Sequence, residues 1–268
     1  MLEHEIRTAL QRVKELRQKI EARMIAAADK VTDFDEVELS EANINARIET
    51  LADQLINTYP DRRPVLVGLL DGALPFASKL NAVLSARNYP FEYTCMQVSS
   101  YGAGMVSGEL VIGAMPKIEL GERLVIIVDD VCDTGKTYRK TEELIRDQFG
   151  AAEVQLMALV DKVQPRPAEC QPKFSGFKVS NKAFIIGFGL DFSGLLRNLR
   201  SILSVDLASL PTPEEKAVLA EERPLNERLR AMLAAAPSLG RSRDVLLAAP
   251  REEGPKVPGI ESQTVLSI

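Results

Sequence analysis

The chain has 268 residues, 46% of them hydrophobic and 26% charged, with a net charge of −5 and a pI of about 5.2. The length exceeds one typical domain and is short for two large ones. The acidic balance argues against nucleic acid as the main partner.

No apolar run approaches the ~20 residues of a membrane span, and no signal-peptide core is present, so a cytoplasmic chain with no membrane partner is expected. Residues 1–28 read as one helix, because Leu2, Ile6, Leu10, Val13, Leu16, Ile20 and Met24 recur at steps of three and four. The one histidine, His4, lies in this helix, which argues against a histidine triad or zinc site. A second amphipathic helix over residues 40–58 enters through Ser40 as N-cap and carries Ile44, Ile48, Leu51 and Leu55 on one stripe. Pro60 and the charged residues 61–63 break it.

Residues 65–70 form an apolar strand, which Asp71-Gly72-Ala73 turns into a helix over 74–84. A strand at 91–98 leads into the Gly- and Ser-rich stretch 99–104, and residues 105–117 return as a hairpin-like arm. Residues 124–128 are an unbroken aliphatic run, the pattern of a strand buried on both faces. Asp129 and Asp130 follow, then the loop Asp133-Thr134-Gly135-Lys136-Thr137, then a helix over 138–147. Another apolar strand, 154–160, ends in Asp161-Lys162, and Pro165, Pro167 and Pro172 mark an irregular connection. Phe174 to Phe177 leads to the apolar segment 183–190 and on to Asp191 and Arg197. Beyond residue 206 a helical stretch, 214–234, gives way to a Pro/Gly-punctuated tail, 237–268. The three cysteines, Cys95, Cys132 and Cys170, share no metal-type spacing and read as reduced, buried thiols.

Strand, acidic pair, glycine turn and helix start together describe an anion pocket beside a sugar-binding edge. Backbone N–H groups of the turn and the positive end of the helix dipole would face a phosphate. Two adjacent carboxylates can accept hydrogen bonds from neighbouring hydroxyls, as on a ribose. The spacing is not that of a Walker loop, since Asp130 stands five residues before Gly135 where a glycine is required.

The segment 124–137 resembles the phosphoribosyl-pyrophosphate (PRPP) motif of the type I phosphoribosyltransferases, and an aspartate at Asp133 resembles the hypoxanthine/guanine (6-oxopurine) branch. The resemblance extends over residues 31–204 and implies an α/β fold: a mostly parallel sheet flanked by helices, with a small hood from residues 31–38 and 174–199 and a mobile active-site loop. Strands near 65–70, 91–98, 123–129, 154–160 and 183–188 would build the sheet. Residues 1–30 and 205–268 would be N- and C-terminal extensions.

The resemblance also implies site roles. Asp129, Asp130, Thr134, Gly135, Lys136 and Thr137 would bind the ribose 5-phosphate part of PRPP, and Asp133 would act at the purine N7. Leu70, Asp71 and Gly72, through a non-proline cis peptide, would meet pyrophosphate together with Arg197. The family commonly carries lysine where this chain has Asp71. Ser100 and Tyr101 would belong to the mobile loop. Lys162 would donate to the purine 6-oxo group, Phe184 would stack on the base and Ile185 would read its edge. Asp191 would hold Mg²⁺ through water. The implied reaction is transfer of phosphoribosyl from PRPP to a 6-oxopurine, by a homodimer or homotetramer. Two alternatives stay open: a PRPP-sensing regulator of the same fold, and a phosphoribosyltransferase for another base such as a pyrimidine.

Overall fold

The computed structural model describes residues 2–100, 110–113, 116–182 and 184–235. Residues 2–10 and 222–235 belong to a small helical unit, and residues 11–221 form the large unit that carries the site. Helix α1 (Leu2–Ala26) buries Val13, Ile20 and Met24 of the expected stripe. It ends two residues earlier than expected, and the chain passes into a short strand, β1 (Ala28–Lys30). Helix α2 (Glu41–Thr58) opens where the sequence predicts: the Ser40 hydroxyl accepts the Asn43 N–H at 3.4 Å.

Strand β2 (Val65–Leu70), helix α3 (Leu74–Ala86), strand β3 (Glu92–Ser100) and strand β4 (Leu110–Ile112) follow. Then come β5 (Leu124–Cys132), α4 (Lys136–Phe149), β6 (Glu153–Val163) and β7 (Phe174–Ser180). These strands form one sheet in the order β4-β3-β2-β5-β6-β7, parallel except for β4, which runs antiparallel to β3. The unbroken aliphatic runs have a simple cause. Val65, Val67, Val125 and Ile127 face Tyr138 and Ile145 of α4, while the alternate residues Leu66, Ile126 and Val128 face Ile48 of α2 and Phe76 and Leu80 of α3. Successive side chains point to opposite faces, and helices cover both, so every position is apolar.

Three further strands lie apart. β8 (Phe184–Ile186) and β9 (Leu203–Val205) join β1 in a small antiparallel sheet, order β1-β9-β8, with Ala28 and Phe184 each paired to Val205. This corrects two expectations. Residues 184–186, in the run expected in the main sheet, pair with β9 in the small sheet instead, and residues 174–180, expected in the hood, are the main sheet's edge strand. Residues 174–180 mix Phe174, Phe177 and Val179 with Ser175, Lys178 and Ser180, whereas 184–186 are wholly apolar, and neither short pattern names the strand's neighbour.

The helical stretch expected over 214–234 is two helices, α5 (Pro213–Ala220) and α6 (Glu222–Ala235). Pro224 has no N–H to donate and is tolerated only in a first turn, so a new helix begins just before it. The tail beyond residue 235 lies outside the described residues.

In the main sheet β2 pairs with β3 on one side and β5 on the other. The chain therefore reverses its direction of travel between β2 and β5. Open parallel sheets bind ligands at the carboxyl ends of such a strand pair.

Candidate active site

The carboxyl end of β5 is longer than expected. The ladder to β6 continues through Asp129 opposite Ala158, Val131 opposite Val160 and Cys132 opposite Asp161, so the acidic pair lies inside the strand rather than after it. The Asp129 carboxylate accepts the Asp130 N–H at 3.0 Å, and the Asp130 carboxylate accepts the Val131 N–H at 2.9 Å. Burial, and then the charge of Asp130, push the Asp129 carboxyl well above the usual aspartate range. Burial raises Asp130 too, opposed by its hydrogen bonds and by the Arg197 guanidinium. Two carboxylates so close together repel, which disfavours ionising both. Burial also pushes the neighbouring Cys132 thiol up to about 12, so it is a neutral, packed thiol.

Past β5 the loop turns at Gly135, which has φ of 76° and caps α4. A side chain there would be strained, and its Cβ would come within 2.6 Å of the Cys170 Cβ. The helix begins at Lys136, two residues before the predicted start, and the Thr134 hydroxyl accepts the Lys136 N–H at 3.4 Å. Asp129, Asp133, Thr134, Gly135, Thr137 and Tyr138 line a hollow of about 150 Å³ at this helix N-terminus. First-turn N–H groups have no intrahelical partner, a backbone arrangement suited to an anion.

A larger cavity of about 540 Å³ adjoins the pair. Leu70, Asp71 and Gly72 line it after β2, and the Leu70–Asp71 peptide is cis, as the resemblance implies. Gly72 packs so closely on β5 that a Cβ would collide with the Asp130 carboxylate. Asp71 faces the cavity, where a lysine would bring a positive charge. Arg197 and Asp191 line another side as an ion pair at 2.8 Å, and Arg197 also donates to the Gly189 carbonyl at 2.6 Å. Asp191 accepts the Gly194 N–H as well. Among the described residues no cluster of three or more histidine, cysteine or carboxylate side chains is placed to hold a metal ion. Asp191 and the Asp129–Asp130 pair are the carboxylates at this cavity besides Asp71.

On the hood side the cavity is closed by Phe184 and Ile185 of β8 and by Lys162 of β6. Lys162 lies within the strand, opposite Val179, rather than in a loop. Its ammonium is 3.5 Å from the Asp133 carboxylate, which also accepts from Gln164. The Phe184 ring meets Phe192 edge to face at 5.5 Å between centroids. Thus Leu70, Asp71, Gly72, Asp129, Asp130, Thr137, Lys162, Phe184, Ile185, Asp191 and Arg197 surround one cavity, with Asp133, Thr134 and Gly135 at the adjoining hollow. Lys136 lines neither and starts the helix. Ser100 ends β3, and Tyr101, with the rest of the expected mobile loop, lies outside the described residues.

Sequence reasoning missed Arg166. Its side chain is 3% exposed and forms an ion pair with Asp161, 6% exposed. It also donates to the Cys132 carbonyl at 3.2 Å and the Asp133 carbonyl at 2.6 Å. It therefore ties the β6–β7 connection to the phosphate loop. The available hint was a charged residue held between Pro165 and Pro167 just past a strand's carboxyl end. The cavity walls Leu69, Val98, Val131 and Leu190 were missed as well, since each reads as ordinary core.

The phosphoribosyl transferase domain family matches residues 38–193, and the chain belongs to the phosphoribosyltransferase family. A hypoxanthine-guanine phosphoribosyltransferase of Bacillus subtilis is 35% identical over 168 residues, covering 62% of this chain and 91% of that protein. The bifunctional protein TilS/HprT of Listeria monocytogenes is 36% identical over 168 residues, and the match spans only 25% of that longer protein. A crystal structure of a hypoxanthine phosphoribosyltransferase from Staphylococcus aureus superposes with a TM-score of 0.59 at 30% identity, covering 67% of this chain and 96% of that one. Together these relatives place the chain in the family's hypoxanthine/guanine branch. Among the described residues no helix is long and apolar enough to cross a membrane.

Proposed function

We propose that the chain is a purine salvage enzyme that transfers the 5-phosphoribosyl group of PRPP to N9 of hypoxanthine, guanine or both, yielding IMP or GMP and pyrophosphate. One observation supports this above the others: Lys162 and Asp133, a donor and an acceptor 3.5 Å apart, stand between the phosphate hollow and the aromatic hood strand. A 6-oxopurine offers the complement, an oxo acceptor at C6 beside the N7 edge.

In the reaction the bond from C1′ to pyrophosphate breaks, a bond from C1′ to N9 forms with inversion, and the base loses a proton. Positive charge grows on the sugar, so positioning and electrostatics supply most of the rate. Thr134, Gly135, Lys136 and Thr137 hold the 5′-phosphate at the start of α4. Asp129 and Asp130 hold the ribose hydroxyls. Leu70, Asp71, Gly72 and Arg197 surround the departing pyrophosphate, and Phe184 and Ile185 sandwich and read the base. Asp133 accepts at N7 as the base loses its proton. The role the resemblance gives Ser100 and Tyr101, shielding the sugar centre from water, completes the proposed reaction.

Mg²⁺ fits the donor set, because it retains waters and takes few protein carboxylates beside substrate phosphates. Asp191 would hold it, and when bound it neutralises charge on the pyrophosphate. The transferase occupies residues 31–204 between two extensions, and a cytoplasmic homodimer or homotetramer is the proposed form.

An ultraviolet assay with PRPP, Mg²⁺ and, separately, hypoxanthine, guanine, xanthine and adenine tests this reading. Nucleotide formation with a 6-oxopurine, lost without Mg²⁺, is expected. Silence with every base, from protein that binds PRPP, would overturn it.

A further inference from the structure

The chain past residue 206 lies beyond the family match, yet it packs on Phe192, the neighbour of the cavity residue Phe184. Helix α5 is firmly placed. The Thr212 hydroxyl accepts the Glu215 N–H at 3.2 Å, and the Glu215 carboxylate accepts the Thr212 N–H at 2.9 Å, a reciprocal cap with Pro213 as the first helical residue. Glu215 also takes a two-pronged ion pair from Arg23 of α1, at 2.9 and 2.7 Å. Arg23 donates further to the Ser209 carbonyl at 3.1 Å.

With α5 held in this way, the next residue, Lys216, sets its ammonium over the Phe192 ring, 4.8 Å from the centroid. Phe192 follows the cavity residue Asp191 and sits in a tight turn, exchanging backbone hydrogen bonds with Leu195. Its ring in turn buttresses Phe184 edge to face. The chain of contact runs from the C-terminal extension to the wall of the base subsite: Arg23, Glu215, Lys216, Phe192, Phe184. A cation over an aromatic face is attracted by the ring's negative quadrupole, which fixes the plane of that ring. An edge-to-face pair passes that orientation on to its partner.

We infer that Lys216 is a positioning residue for the purine: it fixes Phe192, and through Phe192 the face that Phe184 offers to the base. The C-terminal extension is by this route part of the base subsite. The inference rests on the proposed function, in which Phe184 stacks on a 6-oxopurine.

Steady-state kinetics and calorimetric titration of GMP test it on the full chain. Lys216→Ala should raise KM for the base about threefold and weaken GMP binding by a similar factor, the scale of one partly exposed cation–π contact. KM for PRPP, kcat and the melting temperature should stay at parent values. Lys216→Arg, whose guanidinium can stack on the same ring, should restore the base KM. A base KM unchanged in Lys216→Ala, or one that rises together with KM for PRPP and a lowered melting temperature, would overturn the positioning role while leaving the transferase intact. A parent protein that turned over no base and bound no GMP would overturn the proposed function itself, and this role with it.

Discussion

The Lys162 ammonium and the Asp133 carboxylate stand 3.5 Å apart, brought together from the ends of two neighbouring parallel strands. In the proposed function these two groups pair with one edge of a purine. Lys162 is largely buried, with its side chain 12% exposed, whereas that of Asp133 is 51% exposed. The lysine is thus the fixed member and the aspartate the accessible one, as suits a group that must exchange a proton. Asp133→Asn retains the shape but lowers the basicity. It should cut kcat by about 10²- to 10⁴-fold, the range for losing a positioned acid–base group, while sparing PRPP affinity. Steady-state rates and PRPP titration measure both, and parent-like turnover would remove Asp133 from the chemistry.

Arg166 closes a buried ion pair with Asp161 and holds the carbonyls of Cys132, at the end of β5, and Asp133, in the loop after it. Removing one member of such a pair strands the other charge out of water. Arg166→Met should therefore cost about 3–5 kcal/mol of stability, measured by urea unfolding. Adding Asp161→Asn removes the stranded charge and should recover part of the loss. A cost under about 1 kcal/mol, the worth of an exposed pair, would show that water reaches Asp161.

Asp129 makes stability depend on pH in a defined direction. Its carboxyl is raised by burial and by Asp130, so the folded protein keeps a proton that the unfolded chain releases above about pH 4. The folded state then binds more protons than the unfolded one, and stability declines as pH rises from that point through the raised value. Within the window the slope approaches about 1.4 kcal/mol per pH unit. Asp129→Asn abolishes this titration, so the decline should flatten and the variant should be the more stable form at pH 8, at the expense of nucleotide binding. Urea unfolding at stepped pH reads both curves, and parallel curves would contradict the raised carboxyl.

The strand, glycine turn and helix start around residues 124–137 were legible from local order alone. A buried strand, two carboxylates, a glycine turn and a helix start occupy the few residues from Leu124 to Thr137, and their chemistry follows from backbone geometry over that short span. Ser40 was legible as a cap for the same reason, because its partner is three residues away. The base side was legible only through resemblance, since a lysine after a strand and a phenylalanine in a short apolar run have commoner uses.

Only the tertiary structure decided which strands sit together. Residues 174–180, a mixed polar and apolar stretch, extend the main sheet beside β6, whereas the wholly apolar 184–186 leave it for the small sheet with β1 and β9. Strand pairing depends on partners far along the chain, and a two-residue period identifies a face without identifying a neighbour. The same distance in sequence hid Arg166 from the phosphate loop and Lys216 from Phe192. Local order determined the chemistry of the loop at the end of β5. Packing between segments far apart in sequence, illustrated by Lys216 over Phe192 and Arg23 on Glu215, determined what backs Phe184 at the cavity wall, because such contacts depend on where the whole chain folds back.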